Sequence, residues 1–221
     1  MALSNFTKNY GVVSSSPNTD YRVFNHDSGS AQSDKVLLVV CTMENSVNFS
    51  SATYDGVTMN SVLTKNYSAL QQRQKIFSLA NPSNGTNEFR VNLSGNQLND
   101  VSIACYTFIG CSGIGNTGRN GGSSTPNSKT LTCSDGSIIM LCGISASGFQ
   151  NFVIDGVSKS TLYQHNTNKQ TAGALSSPVS AGSINCKSVV NSGTVTNLRV
   201  EIQEASAPPS GNSGNFLMMF N

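Results

Sequence analysis

Along this chain Val, Ile, Leu and Phe interleave with Ser, Thr and Asn in runs of four to ten residues, and Gly, Pro, Asn and Asp separate the runs. The first half offers "YRVFNH", "KVLLVVCTM", "SATYDGVTMNSVLT", "KIFSLA", "NEFRVNL" and "VSIACYTFIG". The second offers "KTLTC", "GSIIMLCGIS", "NFVI", "STLYQH", "INCKSVV" and "TVTNLRVEIQ", with a Gly/Ala/Ser-rich stretch before "INCKSVV". Short segments of β-branched and aromatic residues punctuated by turn formers predict an all-β fold, an antiparallel β-sandwich of jelly-roll-like character with little helix. Only "SALQQRQKIFSLAN" has the propensity for a helix. Its alternation of Arg73, Lys75, Phe77 and Leu79 fits a strand about as well, strand is the favoured assignment, and Asn81-Pro82 ends the element either way.

Two runs depart from simple alternation. "KVLLVVC" and "GSIIMLCG" are apolar at consecutive positions, so both faces of those strands seek burial, whereas an antiparallel sandwich usually leaves one face to water. Loops or another subunit must cover the outer face. The tripeptide Asp-Gly-Val occurs twice, in "TYDGVT" and "VIDGVS". Asp55-Gly56 and Asp155-Gly156 sit between β-forming residues, the composition of a type I′ hairpin, because both residues tolerate positive φ and the mirror-image turn matches strand twist. Each follows an apolar run containing a cysteine, Cys41 or Cys142, at nearly equal spacing. A duplicated half-sandwich would give that echo, and so would two sheets built from similar strands; "SLANPSNGTNEFRV" and "ALSSPVSAGSINCK" share little beyond Ser and Pro. The expected organisation is an N-terminal arm over 1–20, one β-sandwich domain over 21–205, and a Pro/Gly/Ser linker with a C-terminal strand over 206–221.

Composition narrows the partners. Only 11% of the 221 residues are charged and the formal net charge is +2, which provides no electrostatic footprint for nucleic acid or an anionic membrane. The opening "MALSNFTKNYGVV" carries a lone Lys8 and no apolar core of signal-peptide length, so no signal peptide is expected, and the longest apolar runs are strand-sized.

Candidate chemistry is sparse. "GIGNTG" (113–118) matches Gly-x-Gly-x-x-Gly, but "RNGGSSTPNSK" follows it and cannot open the helix that would hold a pyrophosphate; it reads as a mobile loop. The six cysteines contain no Cys-x-x-Cys pair, and His26 and His165 lie far from them in sequence, so zinc spacing is absent. Four of the six sit inside apolar runs, where reduced cysteine behaves as a small buried hydrophobe. In "RVEIQEAS", Glu201 and Glu204 point to opposite faces of a strand and read as a solvated strand end rather than a glycosidase pair. No Gly-x-Ser-x-Gly elbow occurs, and the absence of tryptophan weakens a sugar-stacking platform while six tyrosines keep that option open. The expectation is a protein that is not an enzyme and uses no metal or cofactor.

The two ends stand out. "MALSNFTKNYGVV" and "SAPPSGNSGNFLMMF" place apolar anchors, Phe6 and Tyr10 at one end and Phe216, Leu217 and Met218 at the other, beside flexible Ser, Pro and Gly. A frayed end and an ordinary last strand are one account; docking of these residues on a neighbouring molecule is the other.

"DKVLLVVCTMENS", "ATYDGVTMNSV", "FSLANPSNGTNEFRVNLSG", "YTFIGCSG" and "SDGSIIMLCGIS" follow in an order and spacing that resembles a family of β-sandwich domains of roughly 200 residues, mostly uncharacterised, found in tailed-phage virion proteins and marine bacterial surface proteins. Residues 35–145 carry the likeness. It implies a virion component assembled in a host cytoplasm, most simply a capsid decoration or accessory head subunit whose partners are other virion proteins and copies of itself. A receptor- or glycan-binding module of a tail, fibre or bacterial surface protein, with a cell-surface glycan as partner, is the alternative. The family brings no catalytic residues with it.

Overall fold

The computed structural model describes residues 6–13, 19–44, 47–68, 71–97, 100–122, 127–145, 148–166, 170–190 and 193–205, and among them the chain is all-β with no α-helix. The first nine strands are β1 (Phe6–Val13), β2 (Thr19–Asp27), β3 (Lys35–Glu44), β4 (Phe49–Tyr54), β5 (Val57–Thr58), β6 (Asn60–Tyr67), β7 (Gln72–Ala80), β8 (Thr86–Gln97) and β9 (Val101–Ile109). The second nine are β10 (Cys111–Gly122), β11 (Asn127–Cys133), β12 (Ile138–Ser145), β13 (Phe149–Ile154), β14 (Val157–Lys159), β15 (Tyr163–Asn166), β16 (Gln170–Leu175), β17 (Gly182–Val190) and β18 (Val195–Glu204).

The first nine strands form a five-stranded sheet, β1-β9-β3-β7-β6, and a four-stranded sheet, β2-β8-β4-β5. Adding nine to every label gives the other two sheets, β10-β18-β12-β16-β15 and β11-β17-β13-β14. The repeat extends to local detail. The ladder between β4 and β8 slips by one residue between Phe49 and Ser51, and that between β13 and β17 slips between Phe149 and Asn151. Beyond each slip comes the Asp-Gly hairpin, closed by Tyr54 opposite Val57 and by Ile154 opposite Val157. The Asp55 amide then donates to Glu88 O at 2.9 Å, and the Asp155 amide to Asn185 O at 2.8 Å. On this frame Gly85 and Gly182 correspond, so the two segments that share little in sequence occupy one structural position. The pattern predicts one sandwich over 21–205; the structure holds two, built alike.

Three apolar layers bind four sheets. Leu37, Val39 and Cys41 of β3 pack with Tyr54, Phe89 and Val91 inside the first sandwich. Ile139 and Leu141 of β12 pack with Phe152, Ile154 and Cys186 inside the second. Between them lies a third layer in which Val36, Leu38, Val40, Ala104, Tyr106 and Phe108 meet Ile138, Met140, Cys142, Leu198, Val200 and Ile202. These are matching positions of the two halves: Val36 pairs with Phe108 on the neighbouring strand as Ile138 pairs with Ile202. The same patch on each half therefore meets its counterpart, the logic of a two-fold dimer interface carried out inside one chain. This explains the uninterrupted apolar runs. The outer face of β3 is covered neither by loops nor by another subunit but by the second half of the chain.

Two further expectations change. Residues 6–13, assigned to an arm, form β1, which pairs with β9 at eight consecutive positions from Phe6↔Phe108 to Val13↔Val101. "GIGNTG" is not a loop but lies within β10, an edge strand with two irregularities in its ladder to β18. The Gly/Ala/Ser-rich stretch supplies β16, whose Ala172 and Ala174 are fully buried beside β12. "QRQKIFSLA" is strand β7, held between β3 and β6.

Candidate functional site

The paired Asp-Gly turns have positive φ at both central residues: 50° and 74° at Asp55 and Gly56, 52° and 77° at Asp155 and Gly156. They are hairpin tips, and the exposed large hydrophobic side chain at each is a valine, Val57 or Val157. In the second half the hairpin and the chain after β16 enclose a cleft of about 290 Å³, lined by Asp155, Lys159, Ser177 and Ser180 beside Val157 and Val179. The Lys159 ammonium donates to the Ser177 hydroxyl at 3.3 Å across it. An acid, an amine and hydroxyls beside aliphatic surface suit a small polar ligand.

In the first sandwich, close to the Asp55 hairpin, β1 is fastened by polar side chains. His26 alternates with Phe24 along β2, so both turn into the sandwich, and His26 is completely buried. Its Nδ1 lies 2.9 Å from Asn9 Oδ1 of β1 and its Nε2 lies 2.8 Å from Thr107 Oγ1 of β9. With Asn9 Oδ1 accepting, Nδ1 carries the proton and Nε2 accepts from Thr107; this tautomer satisfies both ring nitrogens of a neutral imidazole. Burial holds the imidazole down at about 4, with the Asp27 carboxylate opposing in part. The Tyr54 hydroxyl donates to His26 O at 2.9 Å, and the Thr7 hydroxyl donates to Asp27 O at 2.8 Å. One imidazole thus ties together an edge strand, the neighbouring sheet and the strand on which the edge depends.

The second half fastens its own edge strand from the matching place. Thr107 precedes Phe108 as Glu201 precedes Ile202, and these two partners align the halves. Glu201, expected at a solvated strand end, is fully buried. Its carboxylate accepts from the Asn116 amide of β10 at 2.7 Å, the Ser134 amide at 2.6 Å and the Ser137 hydroxyl at 2.8 Å. Burial alone would raise its pKa; these hydrogen bonds outweigh burial and hold it below the usual carboxylate range. The glycines of "GIGNTG" find their reason here. A Cβ on Gly115 would stand 2.2 Å from Glu201 Oε2, and one on Gly118 would stand 2.7 Å from Arg199 Nη2. Glycine makes room for two buried charged side chains, and the resemblance to a nucleotide-binding loop is accidental.

Two buried cations donate to neutral oxygens, though Arg199 Nε keeps no hydrogen-bond partner among the described residues. Lys75 Nζ donates to Phe49 O at 3.1 Å and Ser50 O at 3.4 Å, the carbonyls that the slip in β4 leaves available, and stands 4.8 Å from the Phe77 ring centre. Arg199 donates to Asn120 Oδ1 and Asn197 Oδ1. All six cysteines are buried and none is in a disulfide. Burial raises every thiol, to about 11 for Cys186 and about 12 for Cys111 and Cys133, so none is poised as a thiolate. Among the described residues no three His, Cys, Asp or Glu side chains gather as a metal site.

Of the anchors named from the sequence, Phe6 and Tyr10 lie on β1, and Tyr10 is 46% exposed. Phe216, Leu217 and Met218 lie outside the described residues. Asp55, Gly56, Asp155 and Gly156 form the two turns and are not brought together. His26, Asn9 and Thr107 were missed as a group, because residues distant in sequence carry no common signal; only the alternation Phe24, His26 hinted that the imidazole faces inward. No protein-family model matches the chain, and no characterised protein matches it in sequence.

Proposed function

We propose that the chain is a non-enzymatic structural subunit, a capsid decoration or accessory component of a virus particle, that assembles through strand edges rather than sheet faces. The observation that carries this reading is the fate of the apolar surface: the large apolar face of each half is spent on the other half. Among the described residues, what remains for partners is the polar outside of a four-layer wall and its edges, where β1 presents Lys8, Asn9 and Tyr10 to solvent. An edge strand offers main-chain hydrogen bonds to an added strand, a form of contact suited to repeated copies in a lattice. The family likeness of residues 35–145 supplies the virion context. Immunogold labelling and quantitative mass spectrometry of purified particles test it: many symmetric copies per particle are expected, and absence from particles overturns it.

The cleft beside Asp155 favours a second reading, a glycan-binding module at a tail or cell surface. Saturation-transfer NMR with a panel of monosaccharides discriminates, since that reading requires signals lost on Lys159→Ala.

A further inference from the structure

We propose that β1 is a releasable strand, latched on its sheet by the buried His26–Asn9–Thr107 bridge, and that acid opens the latch and bares the β9 edge to β1 of a second copy. This inference does not depend on the virion reading; it concerns the chain alone.

The two edge strands that occupy matching places differ in how they are held. β10 continues directly from β9 through Gly110, and it delivers a backbone amide to the Glu201 carboxylate. β1 is the first of the described strands and among them has one hydrogen-bonded neighbour, β9. Three successive residues, Lys8, Asn9 and Tyr10, are exposed, and the next is Gly11, which has no side chain to bury. Its fastening to the neighbouring β2 includes the Asn9–His26 bond, the Thr7–Asp27 bond and the seating of Gly11 under Phe24, whose ring leaves no room for a Cβ.

The latch responds to protons because of what surrounds it. Asp27 lies on the same strand, and Lys35 at the head of β3 bonds its ammonium to Ser28 O, Ser30 O and Asn84 Oδ1. The Tyr54 phenol of β4 donates to the His26 carbonyl, and β9 contributes the Thr107 hydroxyl and the Cys105 thiol. Glu88 of β8 and Lys8 of β1 are exposed. Among the described residues no carboxylate bonds either ring nitrogen: the partners are an amide oxygen and a hydroxyl. An imidazolium there is buried with no anion in hydrogen-bonding contact, and opening β1 hydrates it.

The occupant of the vacated edge follows from β9 itself. Val101 to Phe108 are all buried, so β9 cannot remain an exposed edge once β1 leaves. The sequence that fits it over eight registered pairs is β1, and a second copy supplies an identical one.

Hydrogen exchange at pH 7.5 and pH 5.0, corrected for intrinsic rates, reads the release. With His26 at about 4 in the closed state and about 6.5 when hydrated, opening of β1 should rise about 30-fold at pH 5.0, while β3 and β12 keep their protection. His26→Gln, which can donate to Asn9 and accept from Thr107, should abolish the pH response. Asn9→Ala is the second variant and should open β1 already at pH 7.5. Equimixed isotopically heavy and light chains, taken to pH 5.0 and returned to pH 7.5, should yield mixed dimers by native mass spectrometry. A change in β1 protection of less than about threefold, or an equal acid response in His26→Gln, overturns the latch. Release of β1 without mixed dimers overturns the second copy as occupant.

Discussion

Replacing Leu38 by alanine probes whether the two halves really share a core. Leu38 is fully buried in the layer between the inner sheets, and Leu37, the next residue, is fully buried inside the first sandwich. Leu→Ala removes three carbons beyond Cβ, about 2.4 kcal/mol at roughly 0.8 kcal/mol each. A residual cavity of roughly 40 Å³ adds about 1 kcal/mol. The expected loss is therefore about 3–4 kcal/mol for Leu37→Ala and Leu38→Ala alike. If the inner sheet had a solvated outer face, Leu38→Ala would cost less than about 0.5 kcal/mol. Urea unfolding followed by circular dichroism measures both. With a slope of about 2 kcal/mol per molar, each midpoint should fall by about 1.5–2 M. A loss below about 1 kcal/mol at Leu38 beside a full loss at Leu37 would refute the four-layer arrangement. Met140→Ala, at the matching position, should behave as Leu38→Ala does, and the double variant should be non-additive because both side chains share one cluster.

Gly143→Ala should cost at least 1–3 kcal/mol, since the new Cβ would lie 2.2 Å from Thr196 O of the adjoining strand; an unchanged melting temperature would contradict that contact. Glu201→Gln should lose about 1–3 kcal/mol at pH 7, because an amide cannot accept all three hydrogen bonds as a carboxylate does. The sign with pH follows from its lowered pKa: the carboxylate's contribution is complete above the unfolded value of about 4.3 and is lost as pH falls through the lower folded value. The gap between Glu201→Gln and the parent should therefore narrow in acid urea titrations below about pH 4. The six buried thiols should resist a disulfide reagent in the folded protein at pH 8 and all react after denaturation; fast labelling of any one before unfolding would contradict its burial.

Much of the fold is local and was legible as such. The period-two alternation around Phe24 and His26 sets an inward face, and the Asp-Gly pairs specify hairpins because few other residues accept positive φ twice in succession. "QRQKIFSLA" was ambiguous because its residues favour both states about equally; ladders on both sides decide for strand. "GIGNTG" looked like a loop because glycine lacks strand propensity, yet an edge strand beside Glu201 and Arg199 needs residues without Cβ. Glu201 looked solvated because nothing nearby in sequence announces two amides and a hydroxyl from other elements.

By itself the sequence determined most of the strands, the twin turns and the fact that β3 and β12 hide both faces, since each depends on neighbouring residues and backbone sterics. Only the tertiary structure decided what hides them. Matching positions need only be apolar and of suitable volume, so Val36 can become Ile138 and Leu38 can become Met140 without leaving a common letter. The requirement for backbone pairing is blind to side-chain identity, which lets a repeat of nine strands persist in space where the sequence retains little more than Phe49 and Phe149, Gly85 and Gly182, and Asp-Gly-Val twice.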